Sequence, residues 1–272
     1  MSKAVRVAAV QMNSQSDVPA NLQLADQLLS DASADGCTLA VLPENFALMP
    51  QKGRDKAAHA EDEGSGPIQE FLAAAAQRYG LWIVAGSIPL RSPEAERVYG
   101  GCLVFDAQGG QQALYRKIHL FDVKLPDREE SYQESWSMYP GDDLVAVDTP
   151  AGRVGLTICY DVRFPEMFRQ LVDDGATFFT VPAAFTRVTG AAHWRTLLRA
   201  RAIENLAYVV APGQYGEHPD NRATYGHSVI IDPWGKVLAE QADGNCFVAA
   251  DIDPNLPVRL REEFPALSNR RL

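Results

Sequence analysis

Val5-Arg6-Val7-Ala8-Ala9-Val10-Gln11-Met12 is an apolar and partly β-branched run, which predicts a buried β-strand. A helix is predicted next, because Pro19 suits a first turn and apolar residues recur at helical spacing as far as a stop at Gly36. Thr38-Leu39-Ala40-Val41-Leu42 then predicts a second short strand. A strand, a helix and a strand in this order indicate an α/β fold.

The same alternation continues along the chain, with hairpins inserted into it. Hairpins are predicted over 98–115 and 228–239, and a mixed sheet therefore fits better than a purely parallel one. The ordered pattern is expected to close with the strand 248–251, followed by a basic tail. The remaining predictions are helices over 68–78, 164–172 and 191–205, and strands over 81–85, 153–158, 177–181 and 207–211.

Length and composition are typical of a globular chain with a large core. The chain has 272 residues, of which 46% are hydrophobic, and a protein of this size buries roughly 75% of the surface that its unfolded form exposes. No composition break marks a domain boundary. We therefore predict one domain over 1–272, with 253–272 as a C-terminal tail.

The charge balance bears on the partners. The chain carries 25 basic and 35 acidic residues, a formal net charge of −10, which argues against a general nucleic-acid or anionic-membrane binder. No apolar run approaches the ~18 residues of a membrane span, and the N-terminus lacks the features of a signal peptide. The four cysteines are scattered without a C-x-x-C pair. These features predict a cytoplasmic protein with reduced thiols that binds a small molecule.

Three reactive residues share one local context, since Glu44, Lys117 and Cys159 each follow the end of a predicted strand. Ligands of open α/β sheets bind beyond the carboxyl ends of the strands, so the three can converge there. A carboxylate can accept a thiol proton and return it to a departing amine, and an ammonium can stabilise an oxyanion. The trio suffices for acyl transfer from an amide without a metal or organic cofactor.

Each of the three also has a structural interpretation. A lone cysteine after an apolar strand is more often an inert core residue, and the glutamate and lysine alone would be ordinary surface charges. A Cys–His hydrolase with His119 or His193 as base is an alternative, although both histidines fit better as packing or hydrogen-bonding groups near a site than as metal ligands. No phosphate-binding loop, H-E-x-x-H motif or complete G-x-S-x-G elbow is found.

At these residues the chain resembles the nitrilase (carbon–nitrogen hydrolase) superfamily, in particular its Nit amidase branch. The resemblance spans nearly the whole chain, in the family's order. It is carried by Leu42-Pro43-Glu44-Asn45-Phe46, by 115–123, by Glu134 with Pro140-Gly141, by Ile158-Cys159-Tyr160-Asp161-Val162-Arg163-Phe164-Pro165-Glu166, and by 189–194, 199–204, 225–228 and 232–235.

The resemblance implies a four-layer α-β-β-α sandwich that dimerises through its cysteine-side helices. It implies Glu44 as general base, Lys117 as oxyanion stabiliser and Cys159 as nucleophile. A further glutamate of the family maps to Glu134, which would orient Lys117 and balance its charge. The backbone N–H of Tyr160 would be the second oxyanion donor. The tail 253–272 resembles an extension that packs across the dimer; a frayed terminus is the alternative.

Two groups of the Nit branch bear on the substrate. One hydrolyses deaminated glutathione, to 2-oxoglutarate and cysteinylglycine, and the other, the ω-amidases, acts on 2-oxoglutaramate. The segments 199–204 and 224–235 look more like the first group. Both substrates carry a 2-oxo acid carboxylate, and Arg163 and Arg187 are the candidates to bind it, although Arg163 could instead pair with Glu166 or Asp161. Another small amide or nitrile hydrolase, or a catalytically silent binding protein, stays open.

Overall fold

The computed structural model describes residues 4–124 and 131–271, and it begins with two parallel βαβ units. The first half of the chain forms, in order, β1 (Val5–Gln11), α1 (Val18–Ala34), β2 (Leu39–Val41), α2 (Asp55–Ala58), α3 (Pro67–Tyr79), β3 (Trp82–Val84), β4 (Ile88–Arg91), β5 (Val98–Phe105), β6 (Gln111–Arg116), β7 (Asp122–Lys124) and β8 (Ser131–Gln133).

The second half repeats the alternation of strands and helices. It forms β9 (Ala146–Thr149), β10 (Gly152–Leu156), α4 (Pro165–Asp173), β11 (Phe178–Thr180), α5 (Arg187–Asn205), β12 (Tyr208–Ala211), β13 (Tyr215–Glu217), β14 (Ala223–Tyr225), β15 (Ser228–Ile231), β16 (Val237–Gln241), β17 (Cys246–Ile252) and α6 (Leu256–Glu263). Short 3₁₀ helices lie at Glu134–Trp136, Cys159–Arg163 and Pro219–Asn221.

The described strands form two large mixed sheets, as the interleaved hairpins predict. The first has the order β17-β1-β2-β3-β5-β4 with β6 beside β5, and the second has the order β16-β15-β12-β11-β10-β9. The centres of both sheets are parallel, whereas the hairpin strands and β17 pair antiparallel.

Alternation along β1 shows how the layers stack. Val7 and Ala9 point into a core shared with the second sheet and with α4 and α5, whereas Ala8 and Val10 pack with α1 and α3. Because successive strand residues face opposite sides, a strand buried on both faces lies between two layers. The result is the expected four-layer α-β-β-α sandwich, with the two sheets in the middle.

The predicted helices are confirmed, with shifted ends. Helix α3 ends at Gly80, whose left-handed backbone caps it. Helix α5 begins at Arg187, four residues before the predicted start, because the Thr186 side chain accepts the Thr189 N–H as an N-cap. No helix of the described ranges is long and apolar enough to cross a bilayer.

The prediction that the ordered pattern closes at 248–251 is wrong, because α6 follows β17. Arg261 of α6 donates from Nη2 to the carbonyl oxygens of Ala176 and Asn205, at 2.8 and 2.9 Å. The beginning of the predicted tail is therefore packed on its own chain. One domain over 1–272 stays a prediction, and residues 1–3, 125–130 and 272 of that range lie outside the described residues.

Candidate active site

A cavity of about 680 Å³ opens beyond the carboxyl ends of β2 and β10, where the sequence predicts convergence. Glu44, Lys117 and Cys159 all line it, together with Glu134. The three segments predicted to carry reactive residues thus meet in one place.

The Glu44 carboxylate is fixed from both sides. Its Oε1 accepts a hydrogen bond from Lys117 Nζ at 2.7 Å, and its Oε2 accepts the Ala184 N–H at 2.9 Å. Gly86 packs closely against the turn that carries Glu44, since a Cβ atom on residue 86 would lie 2.0 Å from the Pro43 carbonyl oxygen. Gly86 also has a φ of +58°, so glycine is required on two counts.

Lys117 lies just beyond the end of β6 with its side chain 2% exposed. Its Nζ donates to both oxygens of Glu134 at 2.9 Å in addition to Glu44. Glu134 is itself held, because its Oε2 accepts the Phe121 N–H at 2.6 Å. One buried ammonium therefore joins two carboxylates from different parts of the chain.

Cys159 begins a 3₁₀ helix with a φ of +50°, a left-handed conformation that costs about 1–3 kcal/mol outside glycine. The surroundings hold it there. The Cys159 N–H donates to the Pro182 carbonyl at 2.9 Å, and the fully buried Asp161 carboxylate accepts the Ile158 N–H at 2.8 Å and the Tyr115 hydroxyl at 2.7 Å. The turn therefore presents the thiol to the cavity.

The protonation of the cluster follows from burial and charge. Burial raises the pKa of the Cys159 thiol well above its usual value, and the Glu44 carboxylate beside it raises it further. Burial also raises the pKa of Glu44, but the charge and hydrogen bond of Lys117 outweigh it, so the pKa of Glu44 is lowered. The resting site is a neutral thiol beside an ionised carboxylate.

The pKa of Lys117 shifts in the opposite direction from that of an isolated buried lysine. Burial lowers the pKa of the ammonium, but the Glu134 and Glu44 carboxylates outweigh burial and raise the pKa well above its usual value. Lys117 therefore stays charged across the physiological pH range. A permanently charged donor at the base of the cavity is suited to stabilise an oxyanion.

The arginines predicted to bind a carboxylate lie elsewhere. Neither Arg163 nor Arg187 is in the wall of this cavity. The Arg163 guanidinium lies 5.2 Å from the centre of the Phe185 ring and 3.4 Å from His193 Nδ1, and Arg187 pairs at 2.8 Å with Glu217 on the surface. The structure corrects the expectation that a guanidinium just beyond the nucleophile, or at the start of α5, faces the pocket.

The histidines have packing and hydrogen-bonding surroundings. His119 Nδ1 lies 2.7 Å from Asp161, and its ring stacks on Phe164 at 3.6 Å. His193 is exposed beside Arg163. Neither lines the cavity, and no cluster of metal-ligating side chains is found among residues 4–124 and 131–271.

Sequence reasoning missed several cavity residues, among them a buried and a half-buried cation, Lys56 of α2 and Arg222 just before β14. Lys56 lies in Arg54-Asp55-Lys56-Ala57, which is indistinguishable from a solvated helix end. Arg222 lies in a polar loop, Pro219-Asp220-Asn221-Arg222. Neither segment carries a local signal for burial, and only the fold places both side chains at the cavity. Tyr160, in contrast, lines it as expected.

Comparison with known proteins agrees with this architecture. The model of the carbon-nitrogen hydrolase family matches residues 6–261. A deaminated glutathione amidase of Yersinia enterocolitica is 40% identical over 270 residues, covering 99% of this chain and 94% of the relative.

Two solved structures match nearly the whole chain. The NitFhit protein of Caenorhabditis elegans has a TM-score of 0.91 and 37% identity, covering 98% of this chain and 65% of that one. Nit3 of Saccharomyces cerevisiae, a member of branch 10 of the nitrilase superfamily, has a TM-score of 0.88 and 32% identity, covering 100% of this chain and 98% of that one.

Proposed function

Because this chain belongs to the carbon–nitrogen hydrolase family, we propose that it is an amidase with Cys159 as nucleophile, Glu44 as general base and Lys117 as oxyanion donor. The observation that carries the proposal is the meeting of a buried thiol, an ionised carboxylate and an ammonium at the base of one cavity. These groups perform acyl transfer by their own chemistry.

Attack begins with a proton transfer. Cys159 Sγ bonds to the amide carbon while its proton moves to the Glu44 carboxylate, since the resting thiol is neutral and the carboxylate is charged. The carbonyl oxygen becomes an oxyanion. Donors for it are Lys117 Nζ and the Tyr160 N–H, which lies in the first turn of a 3₁₀ helix, where N–H groups have no partner within the helix.

The hydrogen bonds of Lys117 leave room for this role. An ammonium has three N–H donors, and Nζ has one contact of 2.7 Å to Glu44 and two equal contacts of 2.9 Å to Glu134. One N–H can serve both Glu134 oxygens, so one remains for the oxyanion. Glu134 acts as a positioning residue, because it touches Lys117 and holds its charge in place.

The second half of the reaction reverses the proton's path. Glu44 donates its proton to the departing amine as the C–N bond breaks, which leaves a thioester on Cys159. Water then attacks the thioester carbon while Glu44 accepts its proton, and that proton returns to Sγ as the carboxylic acid leaves. The cycle needs no group beyond the chain, the amide and water.

We propose deaminated glutathione as the substrate, which the chain would cleave to 2-oxoglutarate and cysteinylglycine. The 40% identical Yersinia relative, over almost the entire chain, supports it. A cavity of about 680 Å³ is compatible with it, since this volume lies within the usual 300–1,000 Å³ of ligand sites. 2-Oxoglutaramate, whose leaving group is only ammonia, is the second candidate.

The test of the mechanism is Cys159→Ala. We expect the variant to fold, with an unchanged melting temperature within a few degrees, and to lose turnover of deaminated glutathione. Mass spectrometry of the wild type with a slow substrate should find the acyl adduct on Cys159. Full activity in the variant, or an adduct on Cys37, Cys102 or Cys246, would reject the mechanism.

Three alternatives are distinguished by parallel assays. A higher kcat/KM for 2-oxoglutaramate than for deaminated glutathione would assign the ω-amidase reaction. In a Cys–His hydrolase, His119→Gln or His193→Gln would lower kcat by several orders of magnitude, whereas we expect much less. Inactivation by iodoacetamide that substrate cannot prevent would favour a silent binding protein.

We also propose that two copies of the chain associate through a face near α5. Ile203, Trp234 and Phe264 are 47%, 61% and 53% exposed, and the Trp234 and Phe264 rings meet edge to face at 5.6 Å. A patch of large exposed side chains is typical of an interaction surface. Light scattering of the wild type should give twice the chain mass, and Trp234→Ala with Phe264→Ala should give the monomer.

A cytoplasmic location remains part of the proposal. All four cysteines are free thiols, and the proposed chemistry requires a reduced Cys159. Cell fractionation with an antibody against the chain would test it.

A further inference from the structure

Lys56 is a buried cation without an anionic partner. Its side chain belongs to α2 and the residue is only 7% exposed. Its nearest polar contact is the thioether sulfur of Met138, 3.7 Å from Nζ. Among the described residues no carboxylate lies within 4.0 Å of this ammonium. A buried charge held only by a thioether is unfavourable unless a ligand completes it.

Arg222, which is half-buried, lines the same cavity. Its Nη1 lies 3.8 Å from Met49 Sδ, and no described carboxylate pairs with its guanidinium. Its backbone is fixed, since the His218 N–H donates to the Arg222 carbonyl at 2.8 Å. Lys56 and Arg222 line one cavity, and the charge of Arg222 lowers the pKa of Lys56. Two cations of one cavity that form no ion pair within 4.0 Å with a described carboxylate indicate a place for an anion.

The charges around the cavity lead to the same conclusion. The exposed rim contributes Lys52, Arg54 and Asp55, which sum to one positive charge. Among the buried and half-buried residues of the wall, Glu44 and Glu134 contribute two negative charges, and Lys117, Lys56 and Arg222 contribute three positive ones. One positive charge is therefore left over in the inner part of the cavity. A substrate with one carboxylate near the reacting amide would neutralise it.

Lys56 is also near the residues that surround the reacting atoms. Its Nζ contacts Met138, whose N–H donates to the Glu134 carbonyl at 2.9 Å, and Lys56, Glu134 and Cys159 line one cavity. An anion held by Lys56 therefore shares the cavity with Cys159. This fits a carboxylate on the acyl part of the substrate, a few bonds from the scissile carbonyl, better than one at the far end of a long leaving group.

We propose that Lys56 and Arg222 are the residues that bind the free carboxylate of the acyl group, so that they set the preference for an anionic over a neutral amide. The inference rests on the proposed amidase function and deepens it. It assigns to Lys56 and Arg222 the role that sequence reasoning gave to Arg163 and Arg187.

The competing explanation for Lys56 is charge balance. Around the reacting groups themselves, Glu44, Glu134 and Lys117 sum to one negative charge, which Lys56 and Arg222 could offset for any amide. If Lys56 only balances that charge, its loss must slow a neutral amide as much as an anionic one. If it binds a carboxylate, only the anionic amide suffers.

A matched pair of amides separates the two roles. Glutaramate and pentanamide have the same five-carbon chain and the same scissile amide, and only glutaramate has a carboxylate at the other end. For Lys56→Met and Arg222→Met we expect kcat/KM on glutaramate to fall about 10- to 100-fold, mostly through KM, as for a lost hydrogen bond to a charged group. Pentanamide should change less than about threefold. Lys52→Met, at the exposed rim of the cavity, is the control and should affect neither amide.

A binding measurement makes the test independent of turnover. In the Cys159→Ala background, calorimetry with glutaramate should show weaker binding on adding Lys56→Met or Arg222→Met, and thermal melting checks that each variant is folded. Equal losses on both amides, or no loss of glutaramate binding, would overturn the proposal.

The two proposals fail in different ways. A wild type that binds glutaramate through Lys56 and Arg222 but leaves deaminated glutathione intact would refute the substrate and support this site. A wild type that hydrolyses deaminated glutathione, with Lys56→Met and Arg222→Met unimpaired, would refute this site alone.

Discussion

Lys117 and Lys56 are two buried lysines that line one cavity, and they differ in the groups that each ammonium contacts. Lys117 Nζ touches two carboxylates, whereas Lys56 Nζ touches a thioether. Burial lowers the pKa of both. Glu134 and Glu44 reverse the effect for Lys117, whose pKa is raised, but they are too far from Lys56 to do so, and its pKa falls to about 8.

The difference separates a completed site from an incomplete one. A paired ammonium is held in place before any substrate arrives, which is what an oxyanion donor requires. An unpaired ammonium reduces stability in the free protein and gains a partner only when an anion binds. The two lysines therefore predict opposite responses to the same replacement.

The largest effect should come from Lys117→Met. It leaves the Glu44 and Glu134 carboxylates without their ion-pair partner, so the free energy of unfolding should fall by about 3–5 kcal/mol. It also lets burial raise the pKa of Glu44, which would then lose its role as a base. We expect kcat/KM to fall at least about 10³-fold. Urea denaturation and steady-state kinetics measure the two effects; a fully stable variant would show that the ion pair contributes nothing.

Glu134→Gln should have a smaller effect. The amide keeps one acceptor for Lys117 Nζ but removes the charge that holds the ammonium, so we expect kcat to fall about 10- to 100-fold with little change in KM. The result is checked on pentanamide as well as glutaramate, because a positioning role slows both equally. A selective loss on glutaramate would place Glu134 in substrate binding instead.

The protonation of Lys56 should make kcat/KM depend on pH, and this effect should be smaller and limited to glutaramate. Desolvation lowers its pKa, with Glu134 and Glu44 opposing it and Lys117 and Arg222 adding to it. Lys56 must be protonated to attract a carboxylate, so kcat/KM for glutaramate should fall as the pH rises through about 8. The ratio of kcat/KM for glutaramate to that for pentanamide isolates this step, and it should lose the inflection in Lys56→Met.

Lys56 also predicts the direction in which the free energy of unfolding changes with pH. Between pH 8 and its ordinary pKa of 10.5, the unfolded chain binds the Lys56 proton and the folded chain does not, so this group makes folding more favourable as the pH rises. Lys56→Met should therefore be more stable than the wild type at pH 7, by on the order of 3 kcal/mol, and the gain should shrink towards pH 10. A destabilised variant at pH 7 would mean that the ammonium is satisfied.

The smallest effect is expected for Arg187→Met. Its pair with Glu217 joins two exposed side chains, and such pairs contribute about 0–1 kcal/mol. We expect kcat/KM on glutaramate to change less than about twofold. A loss comparable to that of Arg222→Met would restore Arg187 as the carboxylate-binding residue.

The sequence was informative wherever one segment carries the whole signal. Apolar runs and capping residues fix β1, α3 and the turn after β10, and the position of Cys159 follows from that strand end. Short elements such as α2 and β14 were missed, because three or four residues are too few to show a periodicity. The helix α6 was missed since the tail reads as polar, and contacts of Arg261 with distant carbonyls stabilise it.

The sequence by itself determined the alternation of strands and helices and the positions of Glu44, Lys117 and Cys159 just beyond strand ends, because hydrophobic periodicity and strand ends are properties of neighbouring residues. Only the tertiary structure decided which cations face the cavity: Lys56 and Arg222 line it, and Arg163 and Arg187 do not. The physical reason is that the free energy of a buried charge depends on the groups around it. For Lys56, Arg222, Glu44 and Glu134 those groups come from segments far apart in the chain.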